Sequence, residues 1–240
     1  MLFATLALYI SLAFCGLVIG AIVLRYDLHE QEPWYMVALA SVLGAGFMWL
    51  AGEAQVAMIL AVHESGRMVS NLLLAVMAGT TEELGKFLVV VTIALASRRY
   101  FNEPLDGLLY GSFAGLGAAL EESVSVLRQL PDTAFLPAQE PVRLAGHLVM
   151  GGIGGFGVGL LRARPRGGIL VMVACLAGAM ALHTVWDIAA FASADHFRMS
   201  AQLKVWHTAV PIGLMLLGMV AFRSLVGASA RVARGAAVRV

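Results

Sequence analysis

Charge is what this chain has least of. Charged residues are 13% of the 240, and 60% are hydrophobic, against about a quarter charged in an ordinary soluble domain. So little polar surface cannot cover a soluble globule without leaving large apolar patches. Cysteine is almost absent as well. Cys15 and Cys175 each lie inside an apolar run, where a lone thiol behaves as a small hydrophobe, so neither a disulfide framework nor a thiolate metal site is expected. A net charge of +1 gives no field that would gather nucleic acid. The sequence also lacks a polar stretch long enough for a second domain, a repeat at fixed period of the kind that marks inverted-repeat transporters, and an HExxH metal motif.

What the chain does have is a succession of apolar runs near the roughly 20 residues that cross a bilayer. They are continuous and rich in Leu, Ala, Val and Gly, which excludes the alternating pattern of a membrane β-barrel. The expected fold is an all-α, polytopic transmembrane helix bundle of about seven spans, at 2–24, 34–60, 68–97, 105–129, 142–161, 168–192 and 203–226. Residues 1–240 read as a single integral membrane domain, with 227–240 as a basic cytoplasmic tail. The first span lacks a basic start and reads as a retained helix rather than a cleaved signal. Counting Lys and Arg between spans places ten on one side and five on the other. The positive-inside rule then puts the chain in the inner (plasma) membrane with its N-terminus outside and its C-terminus in the cytoplasm.

Ionisable side chains inside such spans are costly and mark function. The third span holds Glu82, Glu83 and Lys86, the fourth Asp106, Glu121 and Glu122, the fifth His147, and the sixth His183 and Asp187. Glu82 and Lys86 are four apart, as are His183 and Asp187, so each pair shares a helix face. Adjacent Glu82 and Glu83 diverge by about 100°, so one of them is expected to face a shared centre and the other to pair with Lys86 or brace a neighbouring helix. At about 1.5 Å per residue, the carboxylates and imidazoles fall at similar depths in the outer half of the bilayer. Glycine-rich stretches beside Glu122 and His147 would let the helices approach closely. His29, His63, His196 and His207 lie near span ends and read as interfacial, while Glu53 and Gln55 interrupt the second span without an assigned role.

The order of these motifs resembles the PrsW family of intramembrane proteases, relatives of the CaaX prenyl endopeptidase and of bacteriocin-processing membrane proteases. An acidic segment ending in Glu-Pro, RYDLHEQEPW, precedes an EExxK motif at Glu82, Glu83 and Lys86. A glycine-rich approach to Glu122, a histidine entering a glycine-rich helix at His147, and an HxxxD at His183 to Asp187 follow. The resemblance spans roughly residues 24 to 190. Ala118 stands where the family has an aromatic and Ser123 where it has Asn, so the hydrogen bonding around Glu122 differs, and the choice between Glu121 and Glu122 for the family role stays open. The resemblance implies proteolysis of a membrane-anchored protein, such as an anti-sigma factor.

Peptide hydrolysis needs an activated water, a proton donor for the leaving amine, and donors for the oxyanion. Glu82, Glu83, Glu122, His147 and His183 are the candidate catalytic residues, with Lys86 and Asp187 supporting them. Two mechanisms fit. In one, Zn²⁺ is held by His147, His183 and Glu122, with Glu82 or Glu83 as base. In the other, favoured here for want of a compact metal motif, no metal is present and a glutamate activates water directly. The expected partners are the bilayer and a membrane-anchored protein substrate, with no nucleic acid. The rival reading is a catalytically inactive, protease-like scaffold that binds partner helices of a larger membrane complex; a proton or ion pathway is a third, weakened by the missing repeat.

Overall fold

The computed structural model describes residues 2–25, 31–66, 69–129, 135–163, 165–194 and 201–237. The described residues form seven α-helices and no strand. In chain order these are α1 (Leu2–Leu24), α2 (Trp34–Glu64), α3 (Asn71–Ala96), α4 (Pro104–Arg128), α5 (Gln139–Ala163), α6 (Pro165–Ala194) and α7 (Ala201–Ala237), with one 3₁₀ turn at Arg98–Tyr100. The last helix runs on through most of the stretch read as a tail. His29, His196, the side chain of His207, and Tyr26 to Glu30 of the acidic segment lie outside the described residues. His63 is exposed in the last turn of α2.

Among the described residues, five helices are long and apolar enough to cross a membrane: those containing α1, α2, α5, α6 and α7. The other two, α3 and α4, have 26 and 25 residues, enough to span roughly 30 Å. They differ in carrying charge inside the helix, at Glu82, Glu83 and Lys86 in α3 and at Asp106, Glu121 and Glu122 in α4. Every residue of α4 from Pro104 to Ala119 is buried, so neighbouring helices cover the polar groups of that stretch. By contrast α1 turns Phe3, Leu6, Ile10, Phe14 and Leu17 outward, as a lipid-facing helix should.

Close approach of backbones sets the geometry around α4. Gly107, Gly111 and Gly115 recur every four residues and so line one face, against Gly151, Gly155 and Gly159 of α5. A Cβ on Gly115 would come within 2.7 Å of the His147 carbonyl carbon, and one on Gly155 within 3.0 Å of the Gly111 Cα. On another face of α4, a Cβ at Gly117 would fall 2.6 Å from the Ser41 carbonyl carbon of α2. No side chain fits between these backbones. The small residues thus draw α2, α4 and α5 together, and they bring Glu122 beside His147.

Helix starts are fixed by local caps. Leu73 N donates to Ser70 Oγ at 3.2 Å at the head of α3. Asp106 is not part of the polar centre that the sequence suggested. Its carboxylate accepts from Asn102 N at 2.6 Å and Glu103 N at 2.7 Å in a capping box that starts α4, satisfying helix-terminal N–H groups. At the same end, Tyr110 of α4 donates to Glu32. That contact lies about 18 Å along α4 from Glu122, so Glu32 of the acidic segment anchors the fold and does not join the centre.

Candidate active site

His183 of α6 is the hub. Its Nδ1 lies 2.8 Å from Glu83 Oε1, and its Nε2 lies 3.6 Å from Glu82 Oε2 and 3.5 Å from Asp187 Oδ2. Both glutamates of α3 therefore reach the same imidazole, one at each nitrogen. The expectation that only one could face the centre is corrected, because a ring presents two nitrogens on opposite edges and the diverging side chains bracket it. Lys86 takes Glu83 as its partner, at i,i+3, rather than Glu82 at i,i+4. Its Nζ sits 2.5 Å from Glu83 Oε1, an i,i+3 pair, and leaves Glu82 free, since both spacings place side chains on one face and Glu83 is the carboxylate turned to the buried side. Glu83, Lys86 and His183 are all 2% exposed or less.

The α5 imidazole completes the group. His147 meets the His183 ring edge-on with centroids 4.9 Å apart, and its Nε2 lies 3.2 Å from Glu122 Oε2. That pair is in ion-pair range without hydrogen-bond alignment, and Glu122 Oε2 has no hydrogen-bond partner. Glu121 turns aside, accepting from Ser125 Oγ at 3.0 Å, so Glu122 is the residue of the two that meets His147. One ligand atom from each of Glu82, His147 and His183 falls within 4.8 Å of the others.

Two buried atoms in this cluster stand out. Glu82 Oε2 and His147 Nδ1 have no hydrogen-bond partner, although buried polar atoms are almost always satisfied. A carboxylate held in an ion pair only accepts, so in the neutral imidazole Glu83 keeps the hydrogen of His183 on Nδ1, and Nε2 is then a lone pair facing Glu82 and Asp187. A lone pair, a carboxylate oxygen and an orphaned imidazole nitrogen form a donor set that a divalent cation fits. Two histidines and a glutamate are a catalytic zinc set, with the second carboxylate orienting a ligand histidine.

A family model described as PrsW family intramembrane metalloprotease matches residues 32–222. The chain belongs to that family. No curated protein and no solved structure matches it. Membership makes this PrsW-family chain an intramembrane protease, and the metalloprotease description together with the Glu82, His147 and His183 cluster weighs against the metal-free version that the sequence favoured.

Around the PrsW-family centre lie polar residues that sequence reasoning missed. Gln55 of α2 donates from Nε2 to Glu82 Oε1 at 3.3 Å and to Thr81 Oγ1 at 2.9 Å. Arg143 stands between Glu122 Oε1, 3.5 Å from its Nε, and Glu140 Oε2, 3.2 Å from its Nη1. Fully buried Glu140 also accepts from Ser123 Oγ at 2.5 Å, so the residue standing at the family's Asn position braces the carboxylate that holds Arg143. The only available signal was the interruption of apolar runs by Gln55 and Ser123. A cavity of about 410 Å³ opens onto the centre, with Glu82, Glu122, His183 and Asp187 among its lining.

Proposed function

We propose that this chain hydrolyses a peptide bond in a membrane-anchored, single-span protein near the outer boundary of the membrane, an anti-sigma factor being the type of substrate the family resemblance implies. The observation that carries the reading is the pair of buried, unpartnered atoms, Glu82 Oε2 and His147 Nδ1, beside the His183 Nε2 that faces Glu82. Counted along their helices, Glu82, Glu122, His147 and His183 lie about 9–17 Å from the helix ends that the positive-inside orientation puts outside. The N-terminus outside and the C-terminus in the cytoplasm of the plasma membrane follow from the same orientation.

Glu82, His147 and His183 hold a divalent cation, and their nitrogen and carboxylate donors suit Zn²⁺. When bound, such an ion polarises the scissile carbonyl and acidifies a water molecule. Glu122 is the proton carrier. Its Oε2 is free of hydrogen bonds and borders the cavity, so it takes a proton from water as the new O–C bond forms. It returns that proton to the leaving nitrogen as the C–N bond breaks. This exchanges the roles the sequence suggested, in which Glu122 was a ligand and Glu82 or Glu83 the base. Glu83 instead orients His183 and keeps the Lys86 charge compensated. Asp187, 3.5 Å from His183 Nε2, limits the motion of that ring.

The test is cleavage by the full chain in lipid vesicles, using single-span substrates and product masses. Glu122→Gln and His183→Ala are expected to insert and fold but to lose at least 10²-fold in rate, the usual worth of a general base or its equivalent. Intact substrate with the native chain across a panel of spans, or native rates in both variants, would overturn the proposal.

A further inference from the structure

The bundle leaves a gap between α2 and α6. The former packs on α3 and α4 and the latter on α3 and α5, and the 410 Å³ cavity occupies the space between, with buried Glu82 and His183 at its floor. The α2 wall carries Trp49 and Val56, each more than half exposed, and between them Glu53. Glu53 is exposed and has no hydrogen-bond or ion-pair partner among the described residues.

Its depth makes that state informative. Glu53 lies about 16 Å from the end of α2, as deep as Glu82 lies from the start of α3. An unpaired carboxylate facing lipid there is strongly disfavoured, so Glu53 faces water or a cation in the gap. The described lining offers no Lys or Arg to pair it, and beside His183, Gln55 and Ser125 its polar members are carboxylates. The second observation is that Glu82, more than nine-tenths buried with Oε2 unpartnered, lines the same cavity, so a chain seated on Glu53 reaches the centre that would hold the metal. With Glu82 committed to the metal, Glu53 is left as the uncompensated carboxylate on the α2 wall of the gap. Gln55, two residues beyond Glu53, touches Glu82, and since both line the cavity, Glu53 stands about 3 Å along the α2 axis from that contact.

We propose that the α2–α6 gap is the substrate cleft and that Glu53 selects a lysine or arginine within a few residues of the scissile bond. The side-chain stem lies along Trp49 and Val56 while the cationic head meets Glu53. An extended segment rises about 3.3 Å per residue, so the cation falls two to four residues from the cut. The inference rests on the proteolytic reading and names its substrate class.

The experiment measures binding and cleavage in the same samples. Full-length chain in phosphatidylcholine vesicles is titrated with fluorescent single-span peptides carrying Lys, Ala or Glu at each position around the outer boundary, and products are weighed. At one position the Lys peptide is expected to bind and to be cleaved about tenfold better than the Ala peptide. That ratio should fall to about one in Glu53→Gln and invert in favour of the Glu peptide in Glu53→Lys. Equal binding of the three peptides, or a preference indifferent to both variants, overturns the cleft proposal whether or not cleavage occurs. Glu53-dependent binding without cleavage by the native chain would instead refute the proteolytic reading and leave the cleft standing.

Discussion

Replacing Gly115 by alanine tests whether glycine packing builds the active site. The new Cβ would sit 2.7 Å from the His147 carbonyl carbon and 3.1 Å from Leu148 Cα, whereas comfortable carbon contacts begin near 3.5 Å. The obstruction is backbone, with the His147 carbonyl oxygen nearer still, so no rotamer relieves it and α5 must retreat by at least about 0.8 Å. Such overpacking costs about 1–3 kcal/mol. The retreating residue is His147 itself, which must stay beside Glu82 and His183, and a misplacement near 1 Å is worth about 10² in rate. Gly154→Ala is the control, because its nearest neighbour is Ala179 Cβ at 4.0 Å. Vesicle cleavage assays paired with thermal unfolding in detergent should show Gly115→Ala slower by about 30- to 100-fold and less stable, with Gly154→Ala within about twofold of native. Native activity in Gly115→Ala, or equal damage from both changes, would refute the argument that backbone contact sets the catalytic spacing.

Other residues give separate tests. Arg143→Gln releases Glu122 and Glu140 together and should lower kcat by about tenfold with KM little changed, with partial recovery in Arg143→Lys; a pure KM effect would argue against a positioning role. Glu83→Gln strands the buried Lys86 charge and should destabilise the chain by about 3–5 kcal/mol, much of it restored by adding Lys86→Met; unfolding in detergent measures both. Gln55→Leu frees one oxygen of Glu82 and should weaken metal retention about tenfold in competition with a chelator, and unchanged retention would remove Gln55 from the site.

The parts of this structure that were legible are those where the membrane makes sequence expensive. Apolar runs long enough to cross a bilayer marked the helices, and Glu82, Glu83, Glu122, His147 and His183 were visible because charge inside such runs is costly. Pairing was less legible. Lys86 could reach three or four residues back with equal ease, and only the position of His183, one hundred residues away in sequence, selects Glu83. Asp106 was misplaced because a carboxylate near a helix end costs nothing when it caps that helix. Glu140 and Arg143 sit in the first turns of α5, where polar residues are ordinary, so nothing in the pattern set them apart. The assignment of Glu82 rather than Glu122 to the ligand set depends on which carboxylate falls within reach of both imidazoles, and that is a property of packing alone.

The most direct measurement is the metal content of the purified full chain, taken together with its cleavage rate before and after chelation. About one divalent cation per chain is predicted. It should be lost along with activity in Glu82→Gln and His147→Ala, but retained in Glu122→Gln, which loses activity alone. A fully active chain that carries no stoichiometric metal and is indifferent to chelator would contradict the assignment of Glu82, His147 and His183 as a metal site.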